Sequence, residues 1–351
     1  MAVKLGFKPK QVTKRLLKEL NERGRDVITA RFGLGSSTDL KTLEAIGEQY
    51  GITRERVRQI ENHALGQIRK SDTFQQLQPV FDELAQHIDE MGGIIAEEEL
   101  FDQFSRDKSV RNHLYFLLEL GTPFEREKED TEFKHRWSID RELSKQIKTS
   151  LRRLYKDLND DDLIPESELI DRFLRELQEV NQKYKNQEIA RRWLGISKTI
   201  GRNPLGEWGK SESPNVRAKG MRDFAYLTIK RHGSPMHFRE VAGEIQKLFS
   251  RRAHVATCHN ELIKDDRFVL VGRGLYALAE WGYSDGVVKD VIAEILREEG
   301  PLTRDAIVQR VKKERYVKDN TIIVNLQDTN RFQRNADGTY SLAQSKRTQR
   351  A

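Results

Sequence analysis

The chain has 351 residues, 33% of them charged and 8% aromatic, with a formal net charge of +7. That balance fits several small helical domains better than one large core, and no apolar run approaches the roughly 18 residues of a membrane-spanning helix. The first ten residues lack the apolar stretch of a secretory signal, and the lone Cys258 excludes an internal disulfide framework and suits a reducing cytoplasm. Charge is unevenly spread. Residues 1–70 hold 15 Lys/Arg against 8 Asp/Glu, residues 71–140 hold 7 against 17, and residues 141–351 hold 40 against 30. A phosphate backbone attracts the first and last of these segments and repels the middle one. The acidic middle reads either as a solvated face or as a surface that meets a basic partner or shields the basic helix beside it.

In chain order, the first glycine-rich stretch is Gly33-Leu34-Gly35-Ser36-Ser37. No Lys follows these glycines at the spacing of a phosphate-binding loop, so they are expected to turn the chain between two helices. Residues 42–65 then read as two short helices separated by a tight turn. Leu43, Ile46 and Ile52 supply an apolar inner face, Gly51 stands where a left-handed residue is needed, and Thr53 is a good N-cap. Val57, Ile60, Ala64 and Ile68 recur at helical spacing, which leaves Arg54, Glu55, Arg58, Gln59 and Asn62 on the opposite side. Such a set suits a major groove, where Arg matches guanine, Gln matches adenine and Glu accepts from cytosine.

The run Gly51-Ile52-Thr53-Arg54-Glu55-Arg56-Val57-Arg58-Gln59-Ile60-Glu61, with Arg25–Leu34 upstream, resembles region 4 of the sigma-70 family of bacterial transcription initiation factors. The resemblance covers about residues 10–72, one fifth of the chain. It implies a helix-turn-helix that reads a promoter −35 element in double-stranded DNA and docks on the flap of the polymerase β subunit. The base-edge candidates are Arg54, Glu55, Arg58 and Gln59, with Arg58 standing nearest the backbone of the four. Thr53, Arg56 and Asn62 are the backbone candidates. Nothing resembles the aromatic-rich sigma segment that opens the −10 element.

Beyond residue 72 a four-fold repeat emerges. Gly92–Phe104, Asp161–Phe173, Gly233–Ile245 and Glu299–Val311 align without gaps. Their fourth positions are Ile95, Ile164, Met236 and Leu302, their ninth Leu100, Leu169, Val241 and Ile307, and their thirteenth Phe104, Phe173, Ile245 and Val311. Each follows an amphipathic helix, opens a second, and precedes a third helical stretch and a hairpin signal. In the third repeat these are helix Ala256–Lys264 and strands Phe268–Val271 and Leu275–Leu278. In the fourth, Asn335–Gly338 turns between Phe332 and Thr339–Leu342. The first places its hairpin around Phe124 and Phe133–Trp137, the second at Ile196–Trp208. Three helices and a hairpin make a winged helix. His232-Gly233-Ser234-Pro235-Met236-His237-Phe238-Arg239-Glu240-Val241 with Phe268–Leu278 resembles a HARE-HTH domain over about residues 218–283. That family includes a polymerase δ subunit, which implies association with nucleic acid or polymerase.

The expected fold is mainly α, an N-terminal helix-turn-helix followed by a tandem array of winged-helix domains with small β-hairpin wings. Its expected bounds are 1–72, an acidic unit 73–140, then 141–216, a HARE-like unit 217–284, 285–344 and a basic tail 345–351. Linkers are placed near Ser71–Gln76, Ile139–Leu143, Lys210–Lys219 and Trp281–Gly286. His254, Cys258 and His259 are too few for a metal site and have no partner cluster, so no metal or cofactor is expected. Glu97–Glu99 suit a helix start, and Trp193, Trp208 and Trp281 suit wing or domain anchors. No nucleophile, base and orienting group can be assembled, so an enzyme is not expected. The function expected is a cytoplasmic, nucleoid-associated DNA-binding transcription factor that modulates RNA polymerase without being a complete sigma factor. The alternatives are a δ-like polymerase accessory subunit acting by protein contacts and a DNA-binding component of a restriction or defence system.

Overall fold

A computed structural model describes residues 3–177, 180–283 and 288–343, which divide into two compact bodies. The first spans residues 3–202 and 206–212, the second 203–205 and 213–343. The expected tail 345–351 and half of the last expected linker, residues 284–286, lie outside the described residues. The structure is mainly helical with small antiparallel sheets.

The first body opens with α1 (Pro9–Leu17), α2 (Glu22–Phe32), α3 (Leu43–Tyr50) and α4 (Arg54–Arg69). Their ends follow from short polar residues. The Asn21, Thr42 and Thr53 side chains accept from the Gly24, Ala45 and Arg56 backbone N–H groups at 2.8, 3.2 and 3.2 Å. Gly33 closes α2 in the left-handed region, and the segment to Thr42 turns the chain as the sequence suggests.

Residues 71–76, expected as a linker, instead form α5 (Asp72–Gln76), capped by Ser71 with Phe74 buried. The polar composition Ser-Asp-Thr-Phe-Gln-Gln conceals a single apolar anchor. There follow α6 (Gln78–Glu90), β1 (Ile94–Ala96), α7 (Glu97–Phe104), α8 (Lys108–Leu120), β2 (Glu125–Glu127) and β3 (Arg136–Ser138). Ile139–Leu143 is no free linker either. Ile139 N–H donates to the Gly93 carbonyl at 3.0 Å, and Leu143 is buried in α9 (Arg141–Asp157). Then come α10 (Glu166–Glu176), α11 (Gln187–Leu194), β4 (Ile200–Arg202) and β5 (Trp208–Lys210), the hairpin ending two residues beyond its expected bound. The chain passes between the two bodies at 202–203, 205–206 and 212–213, and only the last lies inside the linker expected at Lys210–Lys219.

The second body carries α12 (Met221–His232), β6 (Met236–His237), α13 (Phe238–Phe249), α14 (Val255–Lys264), β7 (Phe268–Gly272) and β8 (Leu275–Leu278). It continues with α15 (Val288–Glu299), β9 (Leu302–Thr303), α16 (Arg304–Glu314), α17 (Asp319–Leu326), β10 (Phe332–Arg334) and β11 (Thr339–Leu342).

Helix, short extended step, helix, helix and hairpin thus recur four times. The repeated positions account for the recurrence. Ile95, Met236 and Leu302 lie in β1, β6 and β9, and Ile164 forms an isolated bridge. Each pairs directly with an aromatic residue of its own hairpin, respectively Trp137, Tyr276, Tyr340 and Trp208. The ninth and thirteenth positions are all buried, four residues apart on the helix that follows.

Two features tie the first body together. Ile95 points into one core and its neighbours Ile94 and Ala96 into another, the alternation of a strand buried on both faces. The first core also holds Leu16, Ile28, Phe32, Ala64 and Ile68 of the helix-turn-helix segment, packed with Phe74, Phe81, Leu84 and Leu117. The acidic stretch 71–140 therefore meets the helix-turn-helix through apolar side chains. Several of its carboxylates find cations downstream: Asp89 with Lys183 at 3.0 Å, Glu127 with Lys148 at 2.5 Å, Glu129 with Lys198 at 2.6 Å and Glu132 with Arg152 at 2.7 Å. The basic partner of this surface includes the next repeat of the same chain.

Candidate nucleic-acid interface

The interface is built from α2, α3 and α4. Val27, Ile46 and Val57 are fully buried between them, with Leu43, Ile52 and Ile60 packed around. The turn from α3 to α4 depends on two glycines. Gly51 sits at φ 65°, a conformation costly for any residue with a Cβ. A Cβ on Gly47 would lie 2.6 Å from the Ile52 carbonyl oxygen, so only glycine lets the turn fold back on α3. Nothing in the sequence marked Gly47, because a glycine inside a short helix reads as a weak spot.

On α4, Val57, Ala64 and Ile68 face inward and Ile60 is half-buried. Thr53, Arg54, Glu55, Arg56, Arg58, Gln59 and Asn62 are all exposed. The seven candidates thus share one turn and one helix, over about two and a half turns.

Their side chains are engaged with one another. Arg58 donates twice to the Glu55 carboxylate, at 2.8 and 2.7 Å, which holds that carboxyl below its usual range and the guanidinium above its own. Arg56 donates to the Gln59 side-chain oxygen at 3.1 Å, and Arg54 pairs with Glu44 of α3 at 2.9 Å. Glu44 was not singled out in the sequence; its place ten residues before Arg54 carries no helical periodicity. None of the acids of 71–140 pairs with Arg54 or Arg58 among the described residues.

The back of α4 is anchored. Arg69 donates to the Leu120 and Glu119 carbonyls at 3.0 and 2.8 Å, and Gln67 to the Glu19 carbonyl at 2.6 Å. Burial pushes the Glu61 carboxyl up, against the pull of Arg31 on α2 at 3.4 Å. From α8, the buried Asn112 amide donates to the Gly33 and Thr38 carbonyls at 3.0 and 2.9 Å and fixes the segment leading into α3.

Elsewhere, the residues set aside in the sequence have structural surroundings. Cys258 is buried, which pushes its thiol up to about 11, and the His259 ring stacks on Phe238 at 4.1 Å. Trp193 is buried and donates to the Gly92 carbonyl at 3.2 Å. Glu97 opens α7 and accepts from Arg126 and from the Trp137 indole at 2.6 and 2.9 Å.

Comparison with known proteins places the likeness on this same segment. Residues 16–70 match the family model described as sigma-70, region 4. The RNA polymerase sigma factor RpoD of Neisseria gonorrhoeae is 42% identical over 72 residues, 20% of this chain and 11% of the relative. The sigma factor RpoS of Coxiella burnetii is 43% identical over 84 residues, 24% of this chain and 19% of the relative. The sigma factor RpoD of Helicobacter pylori strain 26695 is 50% identical over 54 residues, 15% of this chain and 8% of the relative. The chain therefore spans less than a fifth of the length of these relatives.

Proposed function

We propose that this chain is a sequence-specific, double-stranded DNA-binding transcription factor that acts at bacterial promoters through α4 and modulates RNA polymerase. One observation carries the reading. The stretch similar to sigma region 4 presents three arginines, a glutamate and a glutamine on the exposed side of α4, while its apolar side is seated in a core. In this reading Arg54, Glu55, Arg58 and Gln59 meet base edges, and Thr53, Arg56 and Asn62 meet phosphates. An exposed pair such as Arg54–Glu44 contributes about 0.2–1 kcal/mol, less than the roughly 1–3 kcal/mol of a bidentate base contact. Exchanging the carboxylate for a guanine edge is therefore downhill. Contact with the polymerase β-subunit flap belongs to the same proposal. The four repeats that follow the sigma-like stretch support a modulating role.

The test is a selected DNA sequence bound by the full chain. Arg54→Ala or Gln59→Ala should each remove about 1–3 kcal/mol of discrimination against a mismatched site. Unchanged discrimination in both variants would refute direct readout by α4.

A second reading, an accessory subunit acting by protein contacts, draws on the later helices. Apart from Lys264 at the end of α14 and Asp319 at the start of α17, the exposed side of α14 holds Val255, Ala256, Thr257, Asn260 and Ile263, and that of α17 holds Asn320, Thr321 and Val324. With winged-helix units read in the repeats, these faces, uncharged between their ends, suit protein better than DNA. Co-purification with polymerase after nuclease treatment, with DNA binding weak at low salt, would favour it.

A further inference from the structure

We infer a second, sequence-independent DNA contact in the third repeat, a phosphate clamp made by Arg217, Lys219, Arg222, Arg251 and Arg252. It rests on the DNA-binding reading above but not on α4. These side chains come from two separate stretches, the approach to and first turn of α12 and the turn between α13 and α14. The Arg251 guanidinium donates to the Lys219 carbonyl at 3.1 Å and lies 4.8 Å from the Phe224 ring centre, which brings the two stretches together. All five residues are exposed. None makes an ion pair among the described residues, whereas Arg54 and Arg58 on α4 and Arg126, Arg136, Arg152 and Arg192 in the first body all do. The carboxylates nearby, Asp223 and Asp265, are both ion-paired to Arg267 at 3.0 and 2.8 Å, and Arg222 reaches Asp265 only through its field, without an ion pair.

A cluster of unpaired guanidinium and ammonium groups repels itself unless an anion lies across it, and a row of phosphates meets several cations at once. Base reading is not what this site offers. The adjoining side of α14 carries no cation except Lys264 at its end, and its other charge is the half-buried Glu261, so the clamp cations sit where they meet a backbone and not base edges. The consequence is a contact that adds affinity equally to every sequence.

The experiment measures the affinity of the full chain for a matched and a scrambled duplex across a salt series. Removing one cation from a phosphate should lower the log–log salt slope by about 0.9. Arg222→Gln/Arg251→Gln/Arg252→Gln is expected to flatten the slope by about two to three, equally on both duplexes. Arg251→Lys, which keeps the charge, should retain the parent slope. Lys219→Gln/Arg222→Gln leaves the Phe224 packing untouched and should flatten the slope by nearly two, so it decides the matter if the triple variant melts early. An unchanged slope in both Gln variants overturns the clamp, as does a weakening confined to the matched duplex. The effect of Arg54→Ala on discrimination is read separately, so the clamp and the α4 reading can fail independently.

Discussion

α4 and α14 are built alike and equipped differently. Each is the second of two packed helices, and each follows a residue in the left-handed region, Gly51 at φ 65° and Ser250 at φ 50°. Each buries one side, through Val57, Ala64 and Ile68 or through Cys258 and Leu262. The exposed sides diverge. α4 shows Arg54, Glu55, Arg56, Arg58 and Gln59; α14 shows Val255, Ala256, Thr257, Asn260 and Ile263. One local architecture thus carries two surface chemistries, and what each helix does must be argued from its exposed side chains.

The comparison breaks most visibly at its support. α4 draws its backing from the next repeat, so Phe81→Ala should cost about 3–5 kcal/mol and weaken the helix-turn-helix along with its own repeat. Urea unfolding followed by DNA binding checks this. If the helix-turn-helix kept binding DNA through the transition, the two would not share a cooperative core. A chain cut at residue 72 should bind poorly for the same reason, since Leu16, Ile28 and Ile68 lose their cover.

The next largest effect separates the exposed sides. Gln59→Ala should lower discrimination by about 1–3 kcal/mol, while Asn260→Ala, at the polar site of α14, should leave it unchanged. Equal losses from both, in binding to matched and mismatched duplexes, would mean that both helices read bases.

Much of α4 was legible in the sequence. Capping by Thr53, the left-handed Gly51 and the buried periodicity are local, each fixed within four residues. The repeat was legible for a related reason, as its ninth and thirteenth positions share a helix face. What covers a face is not local. Ala64 and Ile68 form an ordinary apolar stripe, and nothing in their spacing names Phe81 or Leu117 as partners. The aromatic partners Trp137, Trp208, Tyr276 and Tyr340 lie some forty residues from the positions they pair with, beyond any periodic signal. A still larger separation, 79 and 74 residues, hid Asn112 behind the segment it holds. The linker expected at 71–76 was misread because one buried Phe74 outweighs five polar neighbours.

The left-handed residues offer a matched pair of opposite sign. Gly51→Ala places a Cβ in the unfavourable region and should destabilise the first body by about 1–2 kcal/mol. Ser250→Gly relieves that same penalty and should stabilise the second body, by less than about 1 kcal/mol because glycine also gains freedom in the unfolded chain. Thermal melting of both variants tests the pair, and two shifts of the same sign would show that the turns are not equivalent.

The smallest effect concerns how α4 waits for DNA. Among the described residues no ion pair joins α14 to the preceding helix in the way that Glu44 faces Arg54. If that carboxylate competes with a guanine edge, Glu44→Gln should raise DNA affinity by up to about fivefold at low salt, the range of an exposed ion pair. The gain should shrink as salt screens the pair, in contrast to a base contact. If Glu44 instead aims Arg54, the substitution lowers affinity and weakens discrimination at the Arg54 position. The sign of the change therefore separates a competitor from a guide, and its salt dependence shows whether charge or geometry is responsible.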